Sequence, residues 1–141
     1  MKELSPAYLS AIAGQLGTLS AFLGGFAATF LATLLTLVRR ERLLTVCLGL
    51  SVTSAVAFIV TVVAATMVTA VSHPDAPAAV AASAAGLSRL LMTLGFYLGT
   101  LSLLGAMGCS GYLHSRGVGR FGALVATVGA LGVLAMTIRI N

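Results

Sequence analysis

The chain consists of long apolar runs separated by short polar or basic stretches. The first run covers residues 5–38, its only polar side chains are Ser, Thr, Tyr and one Gln, and it ends in a basic cluster that begins at Arg39. Because about 20 apolar helical residues cross a bilayer, this run predicts a transmembrane helix. Ser5 followed by Pro6 is typical of a helix start, with Ser as N-cap and Pro in the first turn.

Three further apolar runs follow, and none shows the alternation of a strand. In lipid only a helix or a closed barrel satisfies the backbone, so we interpret all four runs as helices. The predicted spans are 6–38, 43–71, 87–113 and 121–140. Residues 72–86, which contain Pro74 and Pro77, are predicted as a loop whose Ala-rich end could lead helically into the third span. Short connections predict an all-α integral membrane protein, an antiparallel four-helix transmembrane bundle forming a single domain over 1–141.

Small side chains recur on one face of the first helix, at positions 10, 14, 17, 21, 24, 28 and 32. In lipid, helices associate where small residues let their backbones approach closely. The third and fourth helices carry similar faces. The glycines predicted to pack helices together are Gly14, Gly17, Gly24, Gly95, Gly99, Gly122 and Gly129.

A polar line also runs along the first helix, and its side chains are spaced by three and four residues with Phe22 and Gly25 between them. It consists of Gln15, Thr18, Thr29, Thr33 and Thr36. Two interpretations are open. Thr can bond its own backbone four residues back and needs no partner, whereas channels can be lined by hydroxyl groups without any charge. A weaker line with similar spacing lies on the second helix at Ser51, Ser54, Phe58, Thr61, Ala65 and Thr69.

One segment of the first helix recurs in the third, since residues 16–20 and 98–102 both read LGTLS. Two parallel helical hairpins related by an axis along the membrane normal would produce such a repeat. Chance would also produce it in a chain this rich in Leu, Gly, Ser and Thr.

Charged residues make up only 8% of the chain, and the net charge is +5. The basic residues are divided among turns and ends, which is a topology signal and not a nucleic-acid surface. The two predicted turns hold Arg39, Arg40, Arg42, Arg116 and Arg120, and the opposite side holds Lys2, Arg89 and Arg139. This bias predicts a multi-pass protein of the cell membrane with cytoplasmic basic turns and both termini outside.

The predicted spans contain no acidic residue, because Glu3, Glu41 and Asp75 all fall in ends or loops. Ionisable side chains inside a membrane usually mark catalysis or ion coupling, so we expect neither an enzyme nor a proton-coupled exporter. His73 and Asp75 are too few for a metal site, and we expect no metal or cofactor.

Cys47 and Cys109 are expected to be small packing residues and not a redox pair. Arg89 is expected at the membrane interface, as an anchor, in an ion pair with Asp75 or Glu3, or as a contact for an anion.

These observations favour a small non-enzymatic membrane protein, a homo-oligomer with a polar or channel-like pathway along the first helix. The alternative is an accessory or assembly subunit of a larger membrane complex. The expected partners are membrane lipids together with further copies of the chain or another membrane subunit.

Overall fold

The computed structural model describes residues 5–37, 42–73 and 78–140, and their side chains except those of 78–85 and 136–140. These residues form four α-helices: α1 (Pro6–Leu35), α2 (Arg42–Val71), α3 (Ala78–His114) and α4 (Arg116–Ile140). The helices pack antiparallel in sequence order. Each is long and apolar enough to cross a membrane, so the predicted all-α four-helix membrane bundle is confirmed.

The start of α1 follows the prediction. The helix begins at Pro6, and the Ser5 hydroxyl caps it by accepting a hydrogen bond from the Tyr8 N–H at 3.4 Å. It ends at Leu35, earlier than the predicted Val38, in a tightened turn where the Leu37 N–H donates to the Leu34 carbonyl at 3.1 Å. Such a turn satisfies carbonyls that the helix end leaves without partners.

Two predicted connections are shorter than expected. Of the two readings of the Ala-rich end of the loop predicted at 72–86, the helical lead-in is the one observed, because α3 begins at Ala78. Ala is the strongest helix former, so the Ala-rich segment continues the span. The turn predicted between the third and fourth spans is present but shorter than predicted, because only Ser115 separates α3 from α4. The predictions for Lys2, Glu3, Arg39, Arg40, Glu41 and the Pro74 to Pro77 turn lie outside the described residues.

Two glycines and a serine allow the chain to reverse direction at Ser115. The Ser115 hydroxyl caps α4 by accepting the Val118 N–H at 3.2 Å. A Cβ at Gly111 would lie 2.9 Å from the Val118 carbonyl oxygen, and a Cβ at Gly119 would overlap the Tyr112 ring. Side chains at either glycine would therefore force α3 and α4 apart.

Contacts divide the chain into two compact units. Unit 1 comprises Met1–Phe26 and Ala55–Leu98, and unit 2 comprises Ala27–Ser54 and Gly99–Asn141. The core of unit 1 brings α1, α2 and α3 together through Ala13, Ala64, Ala65, Val68 and Met92. The core of unit 2 contains Leu34, Leu44 and Cys47, with Cys109 and Leu113 packed against it. The single domain predicted over 1–141 stays a prediction.

The second helix carries a buried line at the spacing of a heptad repeat. Its members are Leu44, Cys47, Ser51, Ser54, Phe58, Thr61, Ala65 and Val68. Alternating steps of three and four are typical of helices that pack side by side at a small angle, as most membrane bundles do. In the most apolar window, 33% of α2 and of α3 is buried, against 17% of α1 and 6% of α4. In these windows α2 and α3 therefore bury a larger share of their residues than α1 and α4 do.

Candidate polar pathway on the first helix

The packing face of α1 is set by residues that are buried at every seventh position. They are Ala13, Ser20, Ala27 and Leu34. Two glycines beside this line contact α2, since a Cβ at Gly17 would lie 3.3 Å from the Ala65 Cβ and one at Gly24 would lie 3.2 Å from the Phe58 Cβ. The side of α1 that faces α2 is thereby identified.

The predicted polar line lies away from the buried line of α1. At 100° per residue, each of its five members falls about 100–160° around the helix from the nearest residue of the buried line. The five members are Gln15, Thr18, Thr29, Thr33 and Thr36. All five side chains are exposed. The structure therefore gathers the five candidate residues on one outward surface of one helix, and their use as a pathway stays a prediction.

Three hydroxyls of the polar line donate to backbone carbonyls of α1 itself. Thr18 donates to the Gly14 carbonyl at 3.0 Å, Thr33 to the Thr29 carbonyl at 3.0 Å and Thr36 to the Thr33 carbonyl at 2.7 Å. Each hydroxyl oxygen still has an accepting lone pair. These threonines therefore tolerate lipid and can also accept a hydrogen bond from a solute.

Gln15 differs from the threonines. Among the described residues its side chain makes no hydrogen bond, although an amide carries two donors and one acceptor. An unpartnered amide in hydrocarbon costs several kcal/mol, roughly 2–7 depending on the reference state. Gln15 is therefore the member of the line that most requires water, headgroups or another protein surface.

An open groove between α1 and α2 extends the hydroxyl surface in unit 1. Its volume is about 500 Å³, and it is lined by Gly14 and Thr18 of α1 and by Thr66 and Thr69 of α2, among others. Thr66 and Thr69 also donate to carbonyls of their own helix, at 2.9 and 3.0 Å. Hydroxyls from two helices thus meet in this groove.

The polar line on α2 has a different role from the one on α1. Ser51, Ser54 and Thr61 are completely buried. Ser54 donates across to the Gly99 carbonyl of α3 at 2.9 Å, whereas Ser51 and Thr61 donate within α2 to Cys47 and Ala57 at 2.8 Å. This line joins helices, and sequence reasoning undervalued it because its spacing matches that of the exposed line.

Most of the predicted packing glycines make contacts within the chain. A Cβ at Gly95 would lie 2.5 Å from the Thr61 Oγ1, and Gly99 accepts the bond from Ser54. On α4, a Cβ at Gly122 would lie 3.5 Å from the Gly108 carbonyl, and one at Gly129 would lie 3.6 Å from Leu104. Gly14 is the exception, since among the described residues no atom beyond its chain neighbours and the nearby backbone of α1 lies within 4 Å of its Cβ position.

The chemistry available at the surface is hydrogen bonding without fixed charge. Within the described part of the chain, no three His, Cys, Asp or Glu side chains are grouped as a metal site would need. No family model, curated protein or solved structure matches the sequence. The protein is a small four-span helical membrane protein, and its role has to be argued from the geometry of α1.

Proposed function

We propose that the protein forms a homo-oligomer in the cell membrane, in which the polar lines of the α1 helices surround a pathway for a small polar solute or ion. One observation carries the proposal: Gln15, Thr18, Thr29, Thr33 and Thr36 are all exposed, on the part of α1 that is turned away from its buried line. Copies arranged around a closed symmetry axis would turn these lines towards one another.

The physical argument is the cost of polar groups in lipid. Polar side chains in membrane helices usually face the bundle interior or a water-filled cavity. Threonine oxygens accept hydrogen bonds weakly enough for a solute to enter and leave again, which conduction requires. The Gln15 amide would find its partners at the same surface.

A double substitution, Thr29→Leu with Thr33→Leu, tests the pathway. It removes two accepting oxygens at about 1 kcal/mol each, so flux should fall roughly ten- to thirtyfold. The measurement is the efflux of glycerol, potassium and chloride from reconstituted vesicles. Native mass spectrometry of the same preparation gives the oligomer.

The matched control is Thr53→Leu with Thr127→Leu. These threonines are also exposed and donate to carbonyls of their own helices, at 2.9 and 2.7 Å, but they lie on α2 and α4. The control should conduct like the wild type. Unchanged flux in the Thr29/Thr33 variant, or equal loss in both variants, would contradict the pathway.

The alternative of an accessory subunit has less support. It was motivated by glycine-rich faces, and Gly95, Gly99, Gly122 and Gly129 make contacts inside this chain. Substituting Gly95 and Gly99 would disturb the fold before it tested a partner. Co-purification from the native membrane with an unrelated subunit at a fixed ratio would favour the alternative.

A further inference from the structure

The first turns of α4 carry two arginines on one side of the helix. Arg116 and Arg120 are both exposed, and residues four apart on a helix lie one above the other. The first turn of α4 contains no acidic residue. The described part of the chain contains no Asp or Glu at all, so nothing in it neutralises these two charges.

Tyr112 of α3 packs on the segment of α4 between the two arginines, at Gly119. A Cβ at Gly119 would overlap the Tyr112 ring, so the ring packs directly on the backbone of the segment that carries Arg116 and Arg120. Tyr112 nevertheless remains 40% exposed. The α3 to α4 reversal thus places an exposed phenol against the segment of α4 that carries the two arginines, at the end of a candidate span.

The same side of α4 continues as an apolar surface. Leu124 and Leu131 share the face of Arg120 by helical spacing, and they are 62% and 60% exposed. From Arg120 to Leu131 the helix rises roughly 16 Å, at 1.5 Å per residue. That is about half of a hydrocarbon core of roughly 30 Å, the depth that one acyl chain spans.

We propose that this face of α4 binds an anionic phospholipid. Arg116 and Arg120 contact the phosphate with the Tyr112 hydroxyl beside them, and an acyl chain lies along Leu124 and Leu131. Guanidinium groups bind phosphate oxygens through paired charge-assisted hydrogen bonds. Charge complementarity at the membrane surface favours an anionic headgroup, and the apolar continuation favours a lipid over a soluble anion.

Lipid retention in native mass spectrometry tests the site. The full-length protein is purified in mild detergent and mixed with equal amounts of phosphatidylglycerol and phosphatidylcholine. The wild type should retain phosphatidylglycerol preferentially. The Arg116→Gln/Arg120→Gln variant should lose roughly tenfold or more of that preference, because each surface arginine contributes several-fold to anionic-lipid binding.

The control variant Arg42→Gln/Arg89→Gln removes the same charge from two other exposed arginines. It should keep the preference within about twofold if the site is local. A second variant, Tyr112→Phe, leaves the ring on Gly119 and removes only the hydroxyl, and retention should fall roughly threefold through one lost hydrogen bond.

Four outcomes would overturn the proposal. The first is that the wild type retains both lipids equally, and the second is that the Arg42/Arg89 control loses the preference for phosphatidylglycerol as strongly as the Arg116/Arg120 variant. The third is that inorganic phosphate displaces the lipid and chloride at matched ionic strength does not. The fourth is a changed oligomer mass in the Arg116/Arg120 variant, which would assign the face to another copy of the chain. If the Tyr112→Phe variant retained phosphatidylglycerol as well as the wild type, the Tyr112 hydroxyl would not be part of the site. None of these results depends on whether α1 forms a pathway.

Discussion

Gly95 and Gly14 fit the same small-residue pattern but occupy opposite surroundings. A Cβ at Gly95 would lie 2.5 Å from the Thr61 Oγ1 and 3.1 Å from the Ala57 carbonyl oxygen. Thr61 is short, β-branched and buried, so it cannot move aside easily. At Gly14, by contrast, no atom of another described helix lies within 4 Å of the Cβ position.

Replacing Gly95 by Ala should therefore destabilise the protein. We expect a cost of roughly 1–3 kcal/mol, the usual penalty for overpacking a tight contact. Gly14→Ala is the matched control and should be stabilising by up to about 1 kcal/mol, because Ala is the better helix former. Unfolding by SDS in mixed micelles, followed by circular dichroism, measures both variants. Equal stability of the two would show that α2 and α3 do not approach as closely as described.

At the scale of the helix, α2 is the element on which its neighbours pack. Some of its buried hydroxyls, such as that of Ser51, donate to carbonyls of α2 itself. The Ser54 hydroxyl instead donates to the Gly99 carbonyl of α3. The two LGTLS segments both use their glycine against α2, with Gly17 near Ala65 and Gly99 bonded to Ser54. Both copies of the segment thus pack against α2 through their glycine, whether or not they arose by duplication.

Ser54→Ala should weaken the α2 to α3 contact. Hydrogen bonds between membrane helices contribute about 0.6 kcal/mol on average and up to about 1.7 kcal/mol, so we expect a loss within that range. Ser51→Ala removes an equally buried hydroxyl that bonds only its own helix, and it should be nearly neutral. The same unfolding measurement compares the two. A larger loss in Ser51→Ala than in Ser54→Ala would contradict this assignment.

At the scale of the whole molecule, the antiparallel order of the helices is compatible with either orientation in the membrane. The distribution of basic residues therefore decides which orientation is favoured. In this antiparallel order, the start of α1 at Ser5 and the end of α3 next to Ser115 are expected on opposite sides of the membrane. Basic residues flank Ser115, and an excess of Arg and Lys favours the cytoplasmic side. We therefore expect Ser5 outside and Ser115 inside the cell.

Single cysteines at these two exposed positions test the orientation. In a chain with Cys47→Ala and Cys109→Ala, a membrane-impermeant maleimide should label Ser5→Cys in intact cells. Ser115→Cys should be labelled only after permeabilisation. The reverse labelling pattern would place the basic reversal outside and both termini in the cytoplasm.

The candidate site could be predicted only in part. The five members of the polar line were identified from their spacing, and they do share one exposed face of α1. The buried line of Ser51, Ser54 and Thr61 has nearly the same spacing, and only burial distinguishes the two. A turn between the third and fourth spans was predicted, but not its reduction to Ser115 alone, which depends on the close approach of Gly111 and Gly119 to the neighbouring helix.

The sequence by itself determined that four helices form and roughly which apolar run each contains, although not their ends, because a bilayer leaves an apolar run of this length no other way to satisfy its backbone. It also determined which side chains share a face, since helical periodicity does so in any surroundings. Only the tertiary structure decided which faces are covered. Two equivalent lines of small and polar residues differ solely in whether a neighbouring helix packs on them, and that depends on contacts between segments distant in the chain.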